Sequence, residues 1–402
     1  MTRKTSNILQ QLKARARRNR TALIMAAVNA VVVFVLSCLA ENLPYWFAGS
    51  PSVGQRYEMT KAALGLEPDT PDSGAVLINV AFDRQLVDVN ENWLPVGNTD
   101  IADRSKLLSL LQALDSTRTY RYILIDVFLD SAYTTGADSA LAATIARMPR
   151  ITIANTDGIS LIDSSLTAKS ATADYPIHIL ENNFVRYPTV VDGSNTVAYD
   201  MYLRTGGEPV RRVGPLAFCN GNLCQASPVL KFRYPYRNAT DTVSSGGMKM
   251  LDKSIRILGS DVLDGGIDIG RMADDKLVII GDFSARDCHD TFLGPINGSV
   301  IVLNAYHALR NGDNILPWWL VFVMLAVFGM TSLAINKHVV RLFRSKNRIV
   351  ALTISLLSLT SCYIAVAICI YLTAGISLDI TVPVTYFTLY SVILNILTGP
   401  HD

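Results

Sequence analysis

The sequence predicts an α/β domain, built on a mainly parallel sheet flanked by helices with a hairpin-rich middle insertion, held outside the cytoplasm by four transmembrane helices. Three observations predict it. Uncharged apolar runs gather at the two ends of the chain, basic clusters free of acids border those runs, and strand-like and helix-like patterns alternate in the polar stretch between them.

The first apolar run, Thr21 to Ala40, carries no charge, and at 1.5 Å rise per residue it is long enough to cross a hydrocarbon core of roughly 30 Å. A second run follows Pro317, a third spans Ile349 to Leu372, and a fourth runs from about Ile380 to Leu397. A cleavable signal peptide is the rival reading of the first run, because Cys38-Leu39-Ala40 is a small-x-small site. Signal h-regions are about 7 to 15 residues, shorter than this run.

Basic residues near span ends stay on the cytoplasmic side. Arg3, Lys4, Lys13, Arg15, Arg17, Arg18 and Arg20 precede the first span, and Lys337, Arg341, Arg344, Lys346 and Arg348 lie between the second and third. Both segments are therefore expected inside. The expected order is a cytoplasmic N-terminus (1–20), a span (21–40), an extracytoplasmic domain (41–316), a span (317–335), a cytoplasmic loop (336–348), spans at 349–372 and 380–397, and a cytoplasmic tail (398–402). This is the topology of a bacterial inner-membrane protein, with the lipid bilayer as its first partner.

Within the domain, Ala75 to Phe82 (AVLINVAF) reads as a buried strand, Arg104 to Leu114 as a helix with leucines at helical spacing, and Tyr122 to Phe128 (YILIDVF) as a second strand. Strand, helix, strand is a parallel crossover unit. Asp138 to Met148 reads as another helix, led by Asp138 as a cap, and Ile151 to Ala154 as the next strand. From Asn155 to about Arg256, the pairs Asp157-Gly158, Asp192-Gly193, Gly206-Gly207 and Gly246-Gly247 predict hairpins and loops in place of helices. Lys276 to Gly281 is a further buried strand, and Val300 to Leu309 reads as a strand running into a helix that leads almost directly to Pro317. A linker that short transmits movement, where a long flexible one would dissipate it.

Asn220-Gly221 is a preferred hairpin turn, so Cys219 and Cys224 are expected near bridging distance. They form either a disulfide or a pair of thiols with no role. In open α/β sheets ligands settle beyond the carboxyl ends of the strands, where Asp83, Asp126, Asp130, Asp282 and Asp287 are predicted to lie. With His289 they suit a polar or cationic ligand; the competing reading is that they cap helices and turns.

Several classes are disfavoured. A formal net charge of +2 gives no reason to expect nucleic-acid binding. No metal or cofactor is expected, because no second Cys/His group stands at ligand spacing to join Cys288 and His289. No enzymatic activity is expected, for lack of a nucleophile elbow, a His-Glu-x-x-His or a phosphate loop. Transport would require charged residues within the spans, which hold only Asn29, Asn395 and scattered Ser and Thr. Asn238-Ala239-Thr240 and Asn297-Gly298-Ser299 are formal glycosylation sequons.

The chain resembles the CHASE2 family of extracytoplasmic sensory domains. The matching features are VLINVAFD ending at Asp83, Trp93-Leu94-Pro95 before the first helix, and IDVF with Asp126. Later come LVIIG at Leu277 to Gly281, Asp287-Cys288-His289-Asp290-Thr291, and Gly298 to Asn304-Ala305. Phe292 replaces the proline of the family's Asp-x-His-x-Thr-Pro loop, a second Trp-Pro is missing, and the middle region matches little. The resemblance implies a sensor in which Asp83, Asp126, Asp287, His289, Thr291 and Asn304 contribute to a site for an extracytoplasmic ligand. It also implies signalling through the spans. Because the chain stops at Asp402, the output is expected from a separate cytoplasmic signalling protein, reached as a homodimer or a hetero-complex. The alternative is a structural or docking subunit of an envelope complex.

Overall fold

The structure is a computed structural model that describes residues 2–42, 74–91, 94–174, 186–227, 249–252, 255–259, 268–291, 294–337, 348–374 and 380–398, with the single positions 64 and 376. The basic loop 338–347, the tail 399–402, Trp93, Phe292 and the Asn238 sequon lie outside these residues. The chain folds as two units. One comprises Met1–Val53, Val210–Ala226 and Asn314–Asp402; the other comprises Gly54–Pro209 and Ser227–Asp313.

The second unit is mixed α/β, with a parallel sheet flanked by helices. Its strands are β1 (Ala75–Asn79), β4 (Tyr122–Asp126), β5 (Ile151–Asn155), β6 (Ser170–Thr172), β12 (Lys249–Asp252), β13 (Ile255–Gly259) and β14 (Leu277–Gly281). They lie in the order β12-β13-β1-β14-β4-β5-β6, and only β12 runs antiparallel to its neighbour. The last strand in sequence, β14, therefore sits between β1 and β4, in register with both. Small antiparallel ribbons accompany the sheet, among them β2 (Arg84–Glu91) with β3 (Leu94–Ala102), and β7 (Val190–Val191) with β8 (Ser194–Asn195). Asp192 and Gly193 both take positive φ in the latter turn, as the Asp-Gly signal predicts.

Alternation divides the sheet residues between two faces. Val76, Ile78, Ile123, Ile125, Ile151, Ile153, Val278 and Ile280 form one core with α2 (Arg104–Thr117) and α3 (Asp138–Arg147). From α2, Leu107, Leu110, Leu111 and Leu114 enter this core, each worth on the order of 2 kcal/mol. Asp103 caps α2 by accepting from the Ser105 and Lys106 amides. Arg104 is buried and donates to Asp138 Oδ1 at 2.8 Å and to the carbonyls of Tyr133 and Asp130, joining α2 to the turn before α3. Asp138 is thus inside the first turn of α3 as an ion-pair partner; the cap position is Ala137, which corrects the expected capping role.

The opposite face is covered in part by α4 (Val197–Arg204), a helix in the stretch expected to hold only hairpins and loops. Its charge is held inside: Tyr122 Oη lies 2.7 Å from Thr152 Oγ1, which donates to Asp200 Oδ2 at 2.5 Å, and Arg204 donates to that oxygen at 2.7 Å. The short helix α5 (Ile269–Met272) precedes β14. Strands β15 (Cys288–Thr291) and β16 (Gly294–Asn297) form a hairpin that opens directly into α6 (Gly298–Arg310). The expected strand at Val300 is helix instead, because Val300, Ile301 and Val302 are buried and packing overrides their β preference.

The other unit holds α1 (Thr2–Asn42), a small sheet of β9 (Arg211–Val213), β10 (Leu216–Cys219) and β11 (Asn222–Cys224), and α7 (Trp318–Asn336), α8 (Arg348–Ala374) and α9 (Thr381–Thr398). Among the described residues, two helical segments are both long and apolar enough to cross a membrane: Asn19–Ala40 and Trp318–Asn336. α1 and α7 pack antiparallel. Asn29 donates to Ser332 at 2.8 Å, a Cβ on Gly329 would lie 3.9 Å from Ala30, and Phe34 and Cys38 share a cluster with Leu316 and Leu320 at the other end. α9 joins them through Tyr386, which donates to Asn29 at 2.9 Å, and Phe328, Tyr363 and Phe387 pack together across α7, α8 and α9.

Asn220 and Gly221 form the turn between β10 and β11, both with positive φ. That turn sets Cys219 opposite Asn222 and Cys224 opposite Ala217, so the two cysteines are diagonal neighbours on one face and not a facing pair. Both stand as thiols in this structure, one of the two alternatives expected, and burial pushes the Cys224 thiol up to about 12.

Arg104→Met should destabilise the α/β unit by about 3 to 5 kcal/mol, because Asp138 loses its partner inside the fold; chemical denaturation checks this. Asn29→Ala should weaken helix packing by about 1 kcal/mol, read from unfolding of the full chain in micelles.

Candidate functional site

The register of the central strands places Asn79, Gly281 and Asp126 in one row across the carboxyl ends of β1, β14 and β4. Alternation turns all three away from the main core. Asn79 holds the backbone there: its Oδ1 accepts from the Ala81 amide at 3.0 Å and the Phe283 amide at 3.2 Å. Gly281 leaves a gap between its neighbours, and Ser299 of α6 fills it, donating to Asp126 Oδ2 at 2.6 Å. A Cβ on Gly281 would collide with Ser299 Oγ.

The β15–β16 hairpin supplies the other half of the site. Asp282 accepts from the Ser284 amide, Ser284 accepts from the Arg286 amide, and Asn297 donates to the Ser284 carbonyl at 2.9 Å. These short bonds fold 282–288 back over the start of α6. Asp287 and His289 meet there at 3.6 Å. A Cβ on Gly298 would come within 3.0 Å of Asp287 Oδ2 and 3.1 Å of His289 Nε2, so the absent side chain lets the pair close on the first turn. A carboxylate is stabilised at this position by the amides and dipole of the thirteen-residue helix.

Charge is unevenly balanced in the cluster. Asp126 keeps a partly open side but lies deep among neighbouring atoms, and this burial, reinforced by the Asp287 charge, pushes its carboxyl up to about 6. The Ser299 hydroxyl and His289 act in the opposite direction. The Asp287 carboxylate, accepting from the imidazole, raises His289 above its usual value, against burial, with the charges of Asp287, Asp126 and Asp290 adding to the effect. Chemically the arrangement is a carboxyl and an imidazole, each held above its ordinary range, set against a helix terminus.

Of the residues singled out from the sequence, Asp126, Asp287 and His289 come together. Asp83 does not join them: it is buried, and its Oδ1 takes the Lys106 ammonium of α2 at 2.6 Å. Thr291 is buried in β15, and Asn304 lies further along α6, donating to the Val300 carbonyl at 2.9 Å. Asp130 accepts from the Ala132 amide and Asp282 from Ser284, the turn-stabilising role aspartate often takes. Asn297 is fully buried at the head of α6, so its sequon is closed to modification. Sequence pattern does not mark Ser299 and Gly281 as site residues; a glycine ending a buried strand is the one clue to them. No group of three or more His, Cys, Asp or Glu among the described residues is arranged to hold a metal ion.

Comparison with protein-family models, curated proteins and solved structures returns no match to this chain.

Because the Asp126 carboxyl is raised, its contribution to stability is full below about pH 4 and is lost as pH rises through about 6. His289, also raised, contributes below its ordinary value near 6.5 and loses that contribution at higher pH. Amide exchange at 298–301 should therefore quicken as pH climbs from 5 to 7, beyond the intrinsic pH effect. Asp126→Asn should remove the lower step, worth at most about 3 kcal/mol, and leave the upper one.

Proposed function

We propose that this protein is a multi-pass membrane sensor of the CHASE2 kind. In this reading its α/β domain is extracytoplasmic, and a change at the Asp126–Asp287–His289 cluster is passed along α6 into α7 and on to a separate cytoplasmic effector. One observation carries the reading: the helix whose first turn is gripped by these three side chains is the same helix that the short segment Asn311 to Pro317 connects to α7. A ligand, ion or envelope component that alters the grip acts on the chain's own route into the membrane.

The antiparallel packing of α1 and α7 supports the topology, since the chain then leaves and re-enters on one side of a bilayer. The basic residues in the first half of α1 and around Lys337 favour the cytoplasm for the other side. Four crossings follow if α8 and α9 also span. The shared direction of α7 and α9 fits that count, with Phe328 against Phe387 and Asn336 accepting from Tyr390. A homodimer, or a hetero-complex with the effector, would give the helices something to move against.

A second reading, a docking subunit of an envelope complex, is favoured by the exposed Phe82, Leu86 and Phe128 around the carboxyl ends of β1 and β4. It requires a partner that co-purifies through the α/β domain, and purification of the chain alone from crosslinked membranes would count against it.

A sensor and a docking subunit respond differently to a broken grip. In the full chain in nanodiscs, Asp287→Ala with His289→Ala should alter hydrogen exchange at 298–301 and also at 311–320, the segment entering α7. Exchange changes that stop before 311 would contradict transmission through α6.

A further inference from the structure

The sheet β9–β11 belongs to the helical unit, and its register assigns its two faces different tasks. Ala217, Cys219 and Cys224 point one way and close a small core with Val210, Ala226 and Ile315. Leu216, Phe218 and Leu223 point the other way and rest on the helix cluster that includes Leu316 and Leu320. β11 is tied to the chain entering α7 by Leu316 donating to the Leu223 carbonyl and Gln225 to the Asn314 carbonyl, each at 2.8 Å. β10 lies against α1. Counting outward from α7, β9 is the far edge.

Arg211 is paired with Phe218 and Val213 with Leu216, so both point toward the helix-packed side of the sheet. Val213 is nevertheless 65% exposed and Arg211 is exposed as well, so β9 overhangs the helices. Arg212, opposite Ala217, points the other way. Trp318 and Trp319, at the first turn of α7, are 52% and 50% exposed. An exposed apolar side chain and a guanidinium on the helix-packed side of an edge strand, in the same unit as two exposed tryptophans at a helix start, match the chemistry of a bilayer boundary. Aromatic rings settle at headgroup level there, and arginine reaches for phosphate while its stem stays in apolar surroundings.

We propose that β9 is a foot on the bilayer surface, with Val213 entering the interfacial layer and Arg211 binding the phosphates of anionic phospholipids. The inference rests on α1 and α7 crossing the membrane, as proposed above. The test uses the full chain in phosphatidylcholine vesicles containing phosphatidylglycerol, with photoreactive benzoylphenylalanine in place of Val213 or, separately, of Arg212. Lipid adducts are expected from position 213 and not from 212. Arg211→Gln should lower the preference for phosphatidylglycerol about fivefold, while Arg212→Gln leaves it unchanged. Absence of lipid adducts at 213 from a chain that resists carbonate extraction would overturn the foot and leave the membrane reading standing. An unchanged lipid preference in Arg211→Gln would overturn the phosphate contact, and release of the chain by carbonate would overturn the membrane reading itself.

Discussion

The antiparallel contact between α1 and α7 is the constraint on which the helical unit depends. Asn29 is buried within it, donating to Ser332 and accepting from Tyr386, so a single side chain links α1, α7 and α9. In hydrocarbon an unsatisfied amide is costly, which makes such a link selective for one register. The close approach of Ala30 to Gly329 fixes the same register through small residues. With the two helices so aligned, the end of α1 and the start of α7 lie at the same end of the pair.

The α/β unit is organised around a second constraint, the late insertion of β14 between β1 and β4. That insertion brings Gly281 beside Asp126 and gives Ser299 its place between strand ends. α6 is consequently anchored at its head by Asp126, Asp287 and His289. Its other end is followed at once by the segment Asn314 to Leu316, which is hydrogen-bonded to β11. The link from α6 to α7 is thus short, and its backbone at Asn314 and Leu316 is hydrogen-bonded at the end of β11.

Much of this is legible in the sequence because it is written in local pattern. The strands AVLIN, YILID and LVIIG, the leucine spacing of α2 and the Asp192-Gly193 and Asn220-Gly221 turns are all signals carried by adjacent residues. The order of strands is not legible, since the pairing of β14 with β1 and β4 joins residues far apart in the chain. Nor is α4, whose eight residues between glycine-rich turns are held by Asp200 reaching Thr152 on another element. The aspartates show the same division. Position after a strand marks Asp83, Asp126 and Asp287 alike, but only the fold separates Asp83, claimed by Lys106, from the pair that faces α6. The ribbon of β2 and β3 is equally hidden, because its polar, charged sequence lacks the alternation of a half-buried strand.

Sidedness is the claim on which the sensor reading stands, and one measurement addresses it directly. Alkaline phosphatase, which is active only after export, and green fluorescent protein, which fluoresces when folded in the cytoplasm, can each be inserted at the exposed Asp157-Gly158 turn of the full chain. An extracytoplasmic α/β domain predicts phosphatase activity without fluorescence. Fluorescence without phosphatase activity would put the domain in the cytoplasm and contradict the sensor reading.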